Sequence, residues 1–251
     1  MIIDDFVLPT TKVKPLTSSP ENLILFSKPK CGKTSLISKL DDCLILDTEK
    51  GSRYLEALKV EIDSVEDLMK VGKAIKSAGF PYKYVAVDTV TALEDILIPY
   101  AERLYSNKPQ GAKWFEPGGG KEKYGSILHL PNGAGYMFIR EAYDKIIEYI
   151  KKLAPRTILI GHVKDTILEK NGAEFNSLDL DLTGKIKRIA CSRADAIGYI
   201  YRKGDKNYIS FKTSDEVSCG ARNEHLKNQE FVISEYVDGV YTTYWDKIYI
   251  D

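Results

Sequence analysis

The chain has 251 residues, 43% hydrophobic and 29% charged, with 36 basic and 36 acidic side chains. That is enough apolar sequence for one substantial core, and zero net charge excludes a global field drawing the protein to nucleic acid or an anionic membrane. The four cysteines (Cys31, Cys43, Cys191, Cys219) are scattered without a C-x-x-C pair, which argues against a disulfide framework or a structural zinc site and suits a reducing cytoplasm.

Residues 1–19 contain Pro9 and Pro15 and end at Ser18-Ser19, just before Pro20. They lack the basic stretch and apolar core of a signal peptide, and an irregular arm is expected there, with the core over 20–251. No apolar run approaches the length of a membrane span. Leu23 to Phe26 is a short apolar run before a Pro/Gly loop, as in a buried parallel strand. Residues 33–40 fit a first helix, and Cys43 to Asp47 ("CLILD") a second buried strand. The segment "SVEDLMKVGKAIKS" has helical spacing, with Ser64 as N-cap and Asp67 in the capping-box position.

"KYVAVD", ending at Asp88, reads as a third strand. The next helical stretch, "TALEDILIPYAERLY", should kink or split at Pro99. "YMFIREAYDKIIEYIKKL" is strongly amphipathic: Ile139, Ala142, Tyr143, Ile146, Ile150 and Leu153 line one face. "RTILIG" is a fourth strand. This alternation predicts an α/β fold with a parallel sheet and helices on both faces. Later, Gly204-Asp205 and Asp238-Gly239 sit between strand-like runs and predict antiparallel hairpins.

The segment Ser27-Lys28-Pro29-Lys30-Cys31-Gly32-Lys33-Thr34-Ser35 matches a phosphate-binding loop, G-x-x-x-x-G-K-[ST], except at Ser27. It follows an apolar strand and opens a helix, which is the context such a loop needs. Gly32 lets the backbone approach phosphate, Lys33 can reach the β- and γ-phosphates, and the Thr34 hydroxyl can bind Mg²⁺. Asp88, at the end of its strand, stands where a Mg²⁺-coordinating acid belongs.

Together these segments resemble the RecA-like branch of P-loop ATPases. The likeness implies a RecA-like P-loop NTPase fold: a central, mostly parallel sheet flanked by helices, with C-terminal antiparallel strands. It also implies ATP and Mg²⁺ as ligands. By the same resemblance "LILDTEKGS" carries a catalytic glutamate, Glu49, which polarises the attacking water. His162 of "TILIGHVKD" stands where the branch places a γ-phosphate sensor, often glutamine. Arg222 of "SCGARNEH" is the candidate arginine finger acting on a neighbouring subunit. More narrowly, the chain looks like phage-encoded, core-only RecA-like proteins of recombination and single-strand annealing. Expected partners are single-stranded DNA, copies of the same chain in a ring or filament, and a single-strand-binding protein; no membrane is expected.

The glycine-rich stretch 106–135 is too long for a plain connection. Lys113, Lys121 and Lys123 interleave there with Trp114 and Phe115, which suits single-strand binding by stacking and phosphate contact; a lid over the nucleotide or an interface loop is the alternative. A second, more acidic loop is expected over 166–184, and Lys185 and Arg188 beyond it offer a further basic surface. Two other functions compete: a nucleotide-binding assembly protein without a DNA role, and a nucleoside or nucleotide kinase. A GTPase is disfavoured because Gln110 replaces the acid of the guanine-reading N-K-x-D.

Overall fold

The computed structural model describes the backbone at every position except 1, 4, 5, 8, 9, 15–17, 171 and 172; side-chain surroundings are also not described at 2, 3, 6, 7, 168–170 and 173–175. Two short strands, β1 (Ile2–Ile3) and β2 (Phe6–Val7), pair antiparallel within the expected arm. The core then runs β3 (Asn22–Ser27), α1 (Lys33–Ile37), β4 (Cys43–Asp47), β5 (Lys59–Glu61), α2 (Val65–Ser77) and β6 (Tyr84–Asp88). Next come α3 (Val90–Ile96), α4 (Ile98–Ser106), α5 (Gly120–Tyr124), α6 (Gly135–Ile150), β7 (Arg156–Lys170), β8 (Ala173–Leu180) and α7 (Gly184–Arg193). Five strands close the chain: β9 (Ala196–Lys203), β10 (Lys206–Ser210), β11 (Gly220–Ala221), β12 (Glu230–Val237) and β13 (Val240–Thr243).

The main sheet is ordered β13-β12-β10-β9-β3-β7-β6-β4-β5. From β9 to β5 it is parallel; β10, β12 and β13 extend it antiparallel, through the two predicted hairpins. After β3 the chain crosses past the places of β7 and β6 to lay down β4, then returns to fill them. Strand order therefore reverses around β3, and a crevice opens at the carboxyl ends of β3, β7 and β6. The apolar runs that predicted these strands are buried on both sheet faces, with Leu23, Ile24, Leu25 and Phe26 at most 1% exposed. Each such side chain contributes about 2 kcal/mol by leaving water.

The two faces are covered unequally. One packs against α2, α3, α4, α6 and α7. The other, where helices were also expected, has only the five-residue α1, completed by Leu226, Ile233, Trp245 and Ile248. Trp245 Nε1 donates to Leu36 O at 3.0 Å, tying the C-terminal segment to the short helix. The chain divides at Pro99 as predicted, into α3 and α4, with the proline in the first turn of α4 where its missing N–H is harmless. Ser64 caps α2 by accepting from Asp67 N at 3.1 Å.

Two segments differ from expectation. The second loop, 166–184, is mostly strand: β7 runs on past the sheet and pairs with β8, from Val163 opposite Leu180 to Lys170 opposite Ala173. The glycine-rich stretch 106–135 is not an open loop; it folds into short 3₁₀ turns and α5. Strand β5, with charged residues at both ends, had no apolar run to announce it. No helix among the described residues is long and apolar enough to cross a membrane.

Candidate functional site

Sheet register brings the site together. Ser27, the last residue of β3, lies opposite His162 of β7; Asp88 ends β6 opposite Ile160 of β7; and Asp47 ends β4 opposite Asp88. The loop leaving β3 carries Lys28, Pro29 and Lys30 at the surface, Cys31 and Gly32 half-buried, then Lys33, Thr34 and Ser35 in the first turn of α1. Gly32 adopts φ +83°, a left-handed conformation that favours glycine. A Cβ there would stand 3.4 Å from Asn207 Nδ2, so β10 backs the loop directly.

Lys33 is only 7% exposed and folds back on its own loop. Its ammonium donates to Ser27 Oγ at 3.1 Å, Ser27 O at 3.3 Å and Lys28 O at 3.4 Å. Burial holds its pKa below the ordinary lysine value, against the opposing pull of Asp88. Thr34 Oγ1 donates to Asp88 Oδ2 at 2.6 Å. Burial, with the nearby Glu49 and Asp47 charges, pushes Asp88 up to about 6, although the Thr34 hydrogen bond and Lys33 act the other way.

Glu49 follows β4 on a loop organised by Asp47. That buried carboxylate accepts from the backbone N–H of Glu49 (3.1 Å), Gly51 (3.3 Å) and Ser52 (2.9 Å), and from the Ser52 hydroxyl. Burial works against its charge, but those hydrogen bonds prevail and hold its pKa below the ordinary value. Glu49 Oε1 accepts from Thr89 Oγ1 at 2.6 Å and lies 2.8 Å from His162 Nε2. Among the described residues His162 Nδ1 is buried without a partner. His162 N donates to Thr91 Oγ1 at 3.2 Å.

Lys33, Thr34, Asp88, Glu49 and His162 therefore meet at one edge of the sheet. Sequence reasoning missed Asp47, Thr48, Thr89 and Thr91, although a signal was present: two neighbouring strands end in the same Asp-Thr doublet, 47–48 and 88–89. Arg222 is not part of this group. It follows β11, which pairs with the beginning of β9, at the opposite end of the sheet, and it lies 4.0 Å from Asp195.

The residues expected to contact nucleic acid separate into two kinds. Trp114 is 2% exposed, stacked on Tyr124 and edge-on to Tyr105, so its faces are used within the core and it does not offer the stacking surface expected of it. Lys121 pairs with the buried Glu102 at 2.7 Å, pinning the segment down. Lys113, Phe115, Lys123, Lys185 and Arg188 are exposed.

The arrangement is that of a nucleotide-binding site: a phosphate-type loop with its lysine, a hydroxyl and carboxylate suited to a hard cation, and a second acid beyond them. Residues 19–223 match a family profile described as an AAA domain, and the chain belongs to that family. No curated protein matches the sequence. Among solved structures it is similar to a KaiC-like protein from the hyperthermophilic archaeon Pyrococcus horikoshii OT3, at 12% identity over 90% of each chain with a TM-score of 0.42. It is likewise similar to the RadB recombinase, at 12% identity over 90% of this chain and 92% of that one with a TM-score of 0.43.

Proposed function

We propose that this protein is a Mg²⁺-dependent ATPase that binds single-stranded DNA and assembles with copies of itself, working in the cytoplasm in recombination, annealing or repair. The observation that supports catalysis is the meeting of Glu49 with Lys33, Thr34 and Asp88 at one sheet edge. In hydrolysis a water oxygen bonds to the γ-phosphorus while the bond to the β,γ-bridging oxygen breaks and its electron pair leaves with ADP. Glu49 takes the water's proton, and Lys33 leaves Ser27 to meet the phosphate charge.

The donors present fit Mg²⁺: a hydroxyl and a carboxylate oxygen in contact, with the buried carboxylate short of positive partners. Thr34 and Asp88 would hold it, and when bound it would neutralise charge on the triphosphate. Among the described residues no group of three or more His, Cys, Asp or Glu side chains is placed for a metal. His162 would turn from Glu49 to donate Nε2–H to the γ-phosphate. Arg222 would act only on a neighbouring subunit's site, since it lies far from its own.

For DNA, the support lies between α6 and α7. Lys185 and Arg140 line a cavity of about 450 Å³ with Tyr136 and Met137, the last two 47% and 50% exposed, and Arg188 is exposed on the same α7. Cations beside an exposed aromatic suit a strand bound by phosphate contact and stacking. The test is ATP hydrolysis and oligonucleotide binding, each measured with and without the other ligand. DNA-stimulated turnover is expected. ATP use that requires a nucleoside acceptor, or tight ATP binding without turnover, would overturn the assignment.

A further inference from the structure

The catalytic reading leaves open what aims the Glu49 carboxylate. The end of β4 and the end of β6 are locked side by side. Thr48 N donates to Asp88 O at 2.9 Å. Thr89 N donates to Thr48 Oγ1 at 2.7 Å, and the Thr48 hydroxyl donates in turn to Thr89 O at 2.8 Å. Side chains thus continue the strand pairing one step past the register pair Asp47 and Asp88. Thr89 is 1% exposed. Its hydroxyl accepts from Ala92 N at 3.2 Å, capping α3, which leaves its one proton for Glu49 Oε1 at 2.6 Å.

We propose that Thr89, fixed by Thr48, is a positioning residue for hydrolysis, holding Glu49 by Oε1 so that Oε2 is left to take the proton of the attacking water. This rests on Glu49 being the base. A hydroxyl has a single proton, and both its donor and acceptor sides are committed here, so its orientation is determined by the backbone around it. His162 contacts the same oxygen, but from β7. When His162 turns to a phosphate, Thr89 alone retains the carboxylate. A carboxylate held by one oxygen keeps the other aligned at no further entropic cost, which is how positioning lowers a barrier.

The experiment is steady-state ATP hydrolysis by the full chain, with melting temperature recorded for each variant. Thr89→Val is expected to lower kcat by about tenfold or more while KM for ATP stays within about twofold. Thr89→Ser, which restores the hydroxyl, is expected to recover most of kcat. Thr89→Val also removes the cap of α3. If it fails to fold, Thr48→Val removes the lock on Thr89 while leaving the cap of α3 in place, and it too should lose kcat. Combined with Glu49→Gln, Thr89→Val should cost little more than Glu49→Gln alone, because the two act as one unit. Wild-type kcat in a folded Thr89→Val or Thr48→Val, or a change confined to KM, overturns the proposal while leaving Glu49 in place. Undiminished turnover in Glu49→Gln removes the catalytic glutamate itself.

Discussion

The Lys33 ammonium lies 3.1 Å from Ser27 Oγ, so the cation suited to a nucleotide's phosphates is held by the one residue that departs from the usual phosphate-loop pattern. Ser27 is fully buried and also donates from Oγ to Lys28 O at 2.8 Å. It is a working part of the loop, because its hydroxyl gives Lys33 an acceptor that glycine cannot.

Ser27→Gly should therefore tighten nucleotide binding. One hydrogen bond to a charged group, worth about 1.5–3 kcal/mol, no longer competes with phosphate, although Ser27 O and Lys28 O still hold the ammonium. A fall in Kd for ATP of about three- to tenfold is expected by calorimetric titration. Weaker binding would mean that Ser27 supports the bound state instead.

Asp88 makes the ligand-free protein less stable than it could be. Its folded pKa of about 6 lies above the ordinary 3.8, so between those values the folded state binds more protons than the unfolded one. Its contribution is greatest below the ordinary value and declines as pH rises through about 6, by up to about 3 kcal/mol. Asp88→Asn should melt higher than the parent at pH 7.5 without nucleotide, with little difference near pH 4, and should lose Mg²⁺-dependent nucleotide binding. Equal melting temperatures at pH 7.5 would contradict the account.

Adjacent residues 114 and 115 should behave oppositely. Trp114→Ala empties a site inside the core and should cost about 3–5 kcal/mol in urea unfolding. Phe115, 55% exposed, should change stability by less than about 0.5 kcal/mol when made alanine. A mild Trp114→Ala would show that its neighbours close the gap.

Neutralising the exposed cations of α7 tests the DNA surface. Lys185→Gln and Arg188→Gln should each weaken single-strand binding alike for all sequences. Each should also reduce the slope of log affinity against log salt by about 0.7. Fluorescence anisotropy across a salt series reads both, and an unchanged slope would place the strand elsewhere.

Much of this molecule was written in local sequence. Buried parallel strands announce themselves as unbroken apolar runs, as in "CLILD" and "YVAVD", because both faces are covered. Ser64, Pro99 and the turns at 204–205 and 238–239 act through backbone chemistry within a few residues. Lys33, Thr34 and Asp88 could be named in advance because each sits at a strand end or helix start whose type is local, whereas Glu49 and His162 were reached only through the family resemblance.

What tertiary structure alone decided was which groups meet. The pairing of Asp47 with Asp88 depends on β4 lying beside β6, and from that register follows the Thr48–Thr89 lock on Glu49. Trp114 and Phe115 have the same surroundings in sequence, yet one is core and the other surface, because Tyr105 and Tyr124 arrive from separate elements. Asn207 against Gly32, and Trp245 on α1, join residues some 170 or more positions apart. Local propensity acts over one turn or one strand, whereas burial and hydrogen-bond satisfaction are settled only when distant segments close on one another.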